Sequence, residues 1–135
     1  MIKVDFKINK NTALAHMRLL NAKTKDAGCR AVGVGAAFVL SEAIKRCPHD
    51  TGRLDGSGRI APETPSTSKI IIFDVDYAAI VHEWPANHGL GPKSKSRAAF
   101  YGTVVGGKFL ARAHSDNKTK IDETVRRIYK NLGGK

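Results

Sequence analysis

Acidic side chains are scarce in this chain: 12 Asp and Glu stand against 23 Lys and Arg, a formal net charge of +11. The isoelectric point is near 10.0. Such a balance favours phosphate polymers or an acidic protein surface as partner, and charge alone does not choose between them. Cysteine is scarcer still. Cys29 and Cys47 have the spacing of neither a redox CxxC nor a paired zinc knuckle, which predicts two free thiols in a reducing compartment. The opening "MIKVDFKINK" has a charge at every second position and no unbroken apolar run. Neither a signal peptide nor a membrane anchor is expected there, and the chain is expected to stay in a cytoplasm. No GxxxxGK[ST] phosphate loop, recognition-helix motif, RNP-like aromatic pair or zinc finger occurs, so base-specific reading of nucleic acid is not expected.

What is present fits one domain over residues 1–135: the chain has 41% hydrophobic and 26% charged residues, enough for an ordinary core. Its 13 glycines predict irregular connections. Ile2, Val4, Phe6 and Ile8 alternate with Lys3, Asp5 and Lys7, the period-two pattern of a half-buried strand. After Asn11 or Thr12 as N-cap, Leu14, Met17, Val34, Phe38, Leu40 and Ile44 recur at helical intervals up to Pro48, which stops the helix. One unbroken helix of that length would run roughly 50 Å, against roughly 35 Å for a domain this size, so it must break, bend or protrude. Gly28, Gly33 and Gly35 mark either a hinge or a small-residue seam that another helix approaches closely. Beyond the helix, a turn leads to a short strand around Arg53–Ile60, an exposed loop, and a second strand in "KIIIFDVDY" that turns Phe73, Val75 and Tyr77 to the core. "AAIVHEW" is a brief helical or extended segment, residues 85–98 a mobile basic loop, and "AFYGTVVGG" a last short strand. The final segment, with Ile121, Val125, Ile128, Tyr129 and Leu132 on one face, is an amphipathic helix closed by Gly133 and Gly134. The fold class expected is α+β: a small antiparallel sheet packed by a long, possibly broken N-terminal helix and a C-terminal amphipathic one.

Candidate chemistry is thin. His82, Glu83 and His88 invite comparison with HExxH, but the second histidine is six positions away and beyond Pro85, off the helical face that zinc requires. Asp74 and Asp76 share one side of a strand, where a solvated face is the plainer account. Cys47, His49 and Asp50 have the residue types of nucleophile, base and orienter, yet neighbours in sequence seldom align as a triad. Ser57, in "GSG", lacks the spacing of a nucleophile elbow. The residues therefore argue against an enzyme, and imply no metal and no cofactor.

Three stretches occur in order: "CPHDTGRLDGS", "VDYAAIVHE", and "GGKFLARA" running into the C-terminal helix. Together they resemble the tail-component family of long-tailed bacteriophages, the head-tail joining or tail-completion proteins. In that family a helix ends in Pro-x-Asp-Thr-Gly-x-Leu-x-x-Ser, a strand carries Tyr-Ala, and Phe-Leu precedes the last helix. The likeness spans roughly residues 30–130. It implies a structural virion protein of the neck or tail end, a homo-oligomeric ring of six or twelve copies through which genomic DNA passes. The partners implied are connector or adaptor proteins and a tail terminator or tail tube protein, with assembly in the host cytoplasm. The motif residues carried over are Pro48, Asp50, Thr51, Gly52, Leu54, Tyr77, Ala78, Phe109 and Leu110. Physically they read as architectural: Pro48 ends a helix, Asp50 and Thr51 cap a turn, Gly52 supplies an unusual backbone angle, and Leu54 enters the core. Arg53, Arg59, Lys93, Lys95 and Arg97 are the candidates for contact with DNA in the lumen or with a partner. The rival reading is a small basic protein that binds nucleic acid without sequence preference.

Overall fold

The computed structural model describes residues 10–61 and 68–132. The strand expected at residues 2–8, the exposed loop at 62–67 and the closing Gly133 and Gly134 lie outside the described residues.

No proline interrupts the chain before Pro48, and helix α1 runs unbroken over Lys10–Arg46, 37 residues. Of the two readings of Gly28, Gly33 and Gly35, hinge or small-residue seam, that continuity removes the hinge. Gly28 and Gly35 instead belong to a buried seam with Ala27, Ala31, Val39 and Ala43. A Cβ built on Gly35 would lie 3.9 Å from Cγ2 of Ile121, so the small residues let a second helix come close. Unbroken, the helix runs on past the buried seam. Leu14, Met17, Leu19 and Leu20 in its first turns are exposed. By length and composition α1 is apolar enough to cross a membrane, and a third of its apolar window is buried inside the fold. That window, 27–44, is the stretch carrying the seam.

After the turn at Cys47–Gly52, a single helical turn α2 (Arg53–Gly56) precedes strand β1 (Gly58–Ile60), so the strand expected from Arg53 onward begins five residues later. The positive φ of Gly52, 85°, sets that helical turn going. Strand β1 pairs antiparallel with β2 (Ile71–Phe73), Arg59 opposite Ile72. Two short strands are marginal alone, and here they lean on α1 through Leu40 and Phe73. Helix α3 (Ala78–His82) follows, with Tyr77 as its N-cap residue.

Residues 92–101 form α4 (Pro92–Tyr101), which overturns the basic loop expected at 85–98 from residue 92 onward, while residues 85–91 are irregular. Pro92 occupies the first helical turn and Gly102, at φ 60°, ends the helix, the favoured places for both residues. No strand forms in "AFYGTVVGG" among the described residues; Phe100 and Tyr101 complete α4, and the Gly106 amide donates to the Arg46 carbonyl at 3.0 Å. A Cβ on Gly107 would strike the Trp84 carbonyl, so only glycine lets this turn cross the end of α3. The C-terminal segment is two helices, α5 (Phe109–Ser115) and α6 (Lys118–Lys130). They divide at Asn117, whose buried side chain donates to the Ala113 carbonyl at 2.9 Å and reaches Glu42 at 3.5 Å.

The fold is α+β, with a small two-stranded antiparallel sheet and helices α5 and α6 laid along α1. Val39, Ala43, Cys47, Leu54, Ala78, Val81, Phe109 and Ala113 form the core, and Ile71, Phe73, Val75, Tyr77 and Leu110 pack against it. Beneath α5, Glu42 pairs with Arg46 at 2.6 Å and with Lys45 at 2.7 Å. Burial pushes the Glu42 carboxyl up, and these two cations more than offset it, leaving its pKa lowered.

Candidate functional site

Where α1 stops, the chain folds back over a cleft of about 710 Å³. The 48–55 turn forms one wall, α3 with Trp84 a second, and residues 89–94 the third. Its size falls in the range of roughly 300–1,000 Å³ common to ligand and peptide sites. The floor is apolar: Leu54, Tyr77, Ile80, Val81, Trp84 and Leu90.

Local chemistry holds the walls. Ser94, buried on α4, accepts from the His49 amide at 2.8 Å and donates to the His49 carbonyl at 3.0 Å, pinning the turn to the helix. One turn further along α4, Arg97 donates to the Ile44 carbonyl at 2.8 Å and to the Asp55 carboxylate at 2.6 Å. A guanidinium thereby satisfies the end of α1, where a cation is favoured. Asp55 and Arg97 have side chains only 13% and 14% exposed. Burial alone pushes the Asp55 carboxyl up, but the hydrogen bond and charge of Arg97 outweigh it and the pKa is lowered. His49 completes the group, its Nδ1 lying 2.9 Å from Arg97 Nη2 and 3.1 Å from Asp55 Oδ2. A guanidinium only donates, so the contact with Arg97 requires an unprotonated Nδ1, and that nitrogen then has nothing to donate to Asp55.

The carried-over residues take distinct places. Pro48, Asp50, Thr51, Gly52, Leu54 and Tyr77 line the cleft, whereas Ala78, Phe109 and Leu110 lie in or against the core. Asp50 and Thr51 do not cap α2: Gly52 holds the N-cap position and no side chain bonds there. Asp50 instead meets Lys93, whose ammonium donates to the Asp50 carbonyl at 2.8 Å. Arg53 lies over the Tyr77 ring at 5.8 Å, and Arg59 pairs with Asp74 across the hairpin at 3.2 Å, both exposed. Of the three basic residues expected on a loop, Lys93 and Arg97 turn toward the 49–55 turn and Lys95 faces solvent. Arg97 is thus a structural clamp rather than a surface contact. Asp55 and Ser94 escaped the sequence reading, since their partners are 42 and 45 positions away.

The discounted chemistry has no shared centre. His82 turns its ring edge-on to Phe109 at 5.1 Å, while His88 stacks on Trp84 at 3.7 Å. Among the described residues no group of three His, Cys, Asp or Glu side chains converges to hold a metal ion. The Cys47 thiol is fully buried, and burial, with Asp55 nearby, pushes its pKa up to about 12. It is a core side chain, not a thiolate nucleophile. Iodoacetamide at pH 8 should therefore modify the half-exposed Cys29 in the native protein and reach Cys47 only in denaturant. Mass spectrometry would show one adduct, then two; two adducts without denaturant would contradict the burial.

No family model matches the chain, and no curated protein and no solved structure matches it.

Proposed function

We propose that this chain is a structural subunit of the neck or tail end of a long-tailed bacteriophage. It assembles into a closed ring that completes the tail or joins it to the capsid connector, leaving a passage for DNA. The observation that carries the reading is an open apolar cleft walled by the very turn that bears the family likeness. On the cleft Ile80 is 67% exposed, and elsewhere Phe100 and Val104 are 82% and 69% exposed. Asp55, the acid set into the cleft wall, is neutralised by Arg97, which suits a wall and not a general base. Connector, adaptor, terminator or tube proteins would be its neighbours, and Arg53, Arg59 and Lys95 supply positive charge toward them or toward DNA.

Light scattering after size exclusion tests this, together with imaging of negatively stained protein. The expected result is six or twelve copies of the 14.6 kDa chain in closed rings. The +11 charge favours a second reading, non-specific binding to nucleic acid. A monomer that binds any duplex with an affinity falling steeply as salt rises would replace the ring proposal with that one.

A further inference from the structure

Resting on the ring reading, we infer that the cleft is filled by residues 2–8 of a neighbouring copy. Those residues are tethered to Lys10, the first residue of α1, and the cleft opens just past Arg46, the last. At about 1.5 Å per residue the two ends of α1 lie ~54 Å apart. Eight residues, even fully extended, span at most ~28 Å. The segment therefore falls short of its own cleft by some tens of ångströms along a rigid rod, and the exchange has to be between copies.

The chemistry of segment and cleft corresponds. Extended along the cleft, Ile2, Val4, Phe6 and Ile8 would present one apolar edge and Lys3, Asp5 and Lys7 the other. The cleft offers an apolar floor, with Ile80 and Leu90 accessible on it, and Asp50, Arg53 and Lys93 as charges of both signs among its lining residues. The first turns of α1 serve as the boom that carries the segment outward, and their exposed Leu14, Met17 and Leu20 travel with it onto the neighbour. Each copy then gives one segment and receives one. Such a head-to-tail contact repeats until its rotation closes a ring.

The test uses two full-length variants, each checked for native circular dichroism. Val4→Asp with Phe6→Asp spoils the segment and keeps the cleft; Ile80→Asp with Leu90→Asp does the reverse. Each alone should run as a 14.6 kDa monomer. Mixed in equal amounts they should form a pair of twice that mass and nothing larger, because only one intact junction is possible. Assembly of either variant as in the wild type, or a mixture that stays monomeric, overturns the inference. A fluorescent peptide of residues 1–10 separates this from the ring reading. It should bind the segment variant saturably and lose at least tenfold in affinity against the cleft variant. Rings without peptide binding would leave the ring and remove the exchange. Peptide binding by a protein that never forms rings would keep the cleft assignment and remove the ring.

Discussion

Replacing Phe109 by alanine is expected to cost about 4 kcal/mol of folding stability, the middle of the range for a buried aromatic. Phe109 is 1% exposed and is the largest fully buried side chain among the described residues. Its ring meets Phe73 edge-on at 5.0 Å and His82 at 5.1 Å, so it joins the sheet, α3 and α5 over the floor of α1. The surroundings have little to collapse with. Ala43, Cys47 and Ala113 are already at 0% exposure, and short side chains on rigid helices leave the cavity standing. Against a total of roughly 5–15 kcal/mol for a domain, the variant would keep little margin. The neighbouring Leu110 is only half-buried, and Leu110→Ala should cost distinctly less. Urea unfolding followed by circular dichroism checks both, and a loss below about 1.5 kcal/mol for Phe109→Ala would mean that this ring is not the keystone of the core.

What the residues disclosed in advance follows from how local each cause is. Pro48 stopping α1, Leu54 entering the core, and Phe73, Val75 and Tyr77 facing inward each depend on a few neighbours, and each occurs, although the strand expected to carry the last three ends at Phe73 and Tyr77 caps α3 instead. Helix α4 is hidden because the glycines and prolines of residues 85–98 read as breakers, whereas Pro92 at the start of a helix is its punctuation. The continuity of α1 through Gly28 and Gly35 depends on α6 lying against that face, a tertiary fact that outweighs a propensity of about 1 kcal/mol per glycine. The division of α5 from α6 likewise depends on Asn117 reaching Glu42 on α1. The cleft was half legible: its 48–54 wall and Tyr77 stood out as a motif, but the clamp of Asp55 to Arg97 spans 42 positions and no local pattern announces it.

That clamp supports the second large effect. Arg97→Met should destabilise the protein by about 3–5 kcal/mol near neutral pH, the cost of leaving a buried carboxylate without its cation. It also strips the Ile44 carbonyl of a donor at the end of α1. The dependence on pH identifies the origin. In the wild type Asp55 has a folded pKa below its unfolded value, so its contribution is fully present above the ordinary carboxylate range and is lost as pH falls through the folded value. With Arg97 gone, its hydrogen bond and charge no longer hold the carboxyl down, so Asp55 in the variant protonates at higher pH than in the wild type: the penalty stands at neutral pH and fades as acid protonates Asp55. The gap in urea midpoint between variant and wild type should therefore be widest near pH 7 and narrow steadily toward pH 3, and Asp55→Asn in the Arg97→Met background should recover part of the loss. Lys93→Met serves as control, since its pair with Asp50 is exposed, at 64% and 89%, and such pairs contribute under about 1 kcal/mol. A gap that does not change with pH would place the cost in the helix end and not in Asp55. Because Arg97, with Ser94, holds α4 against the 49–55 turn that walls the cleft, the same substitution should also abolish ring assembly at pH 7.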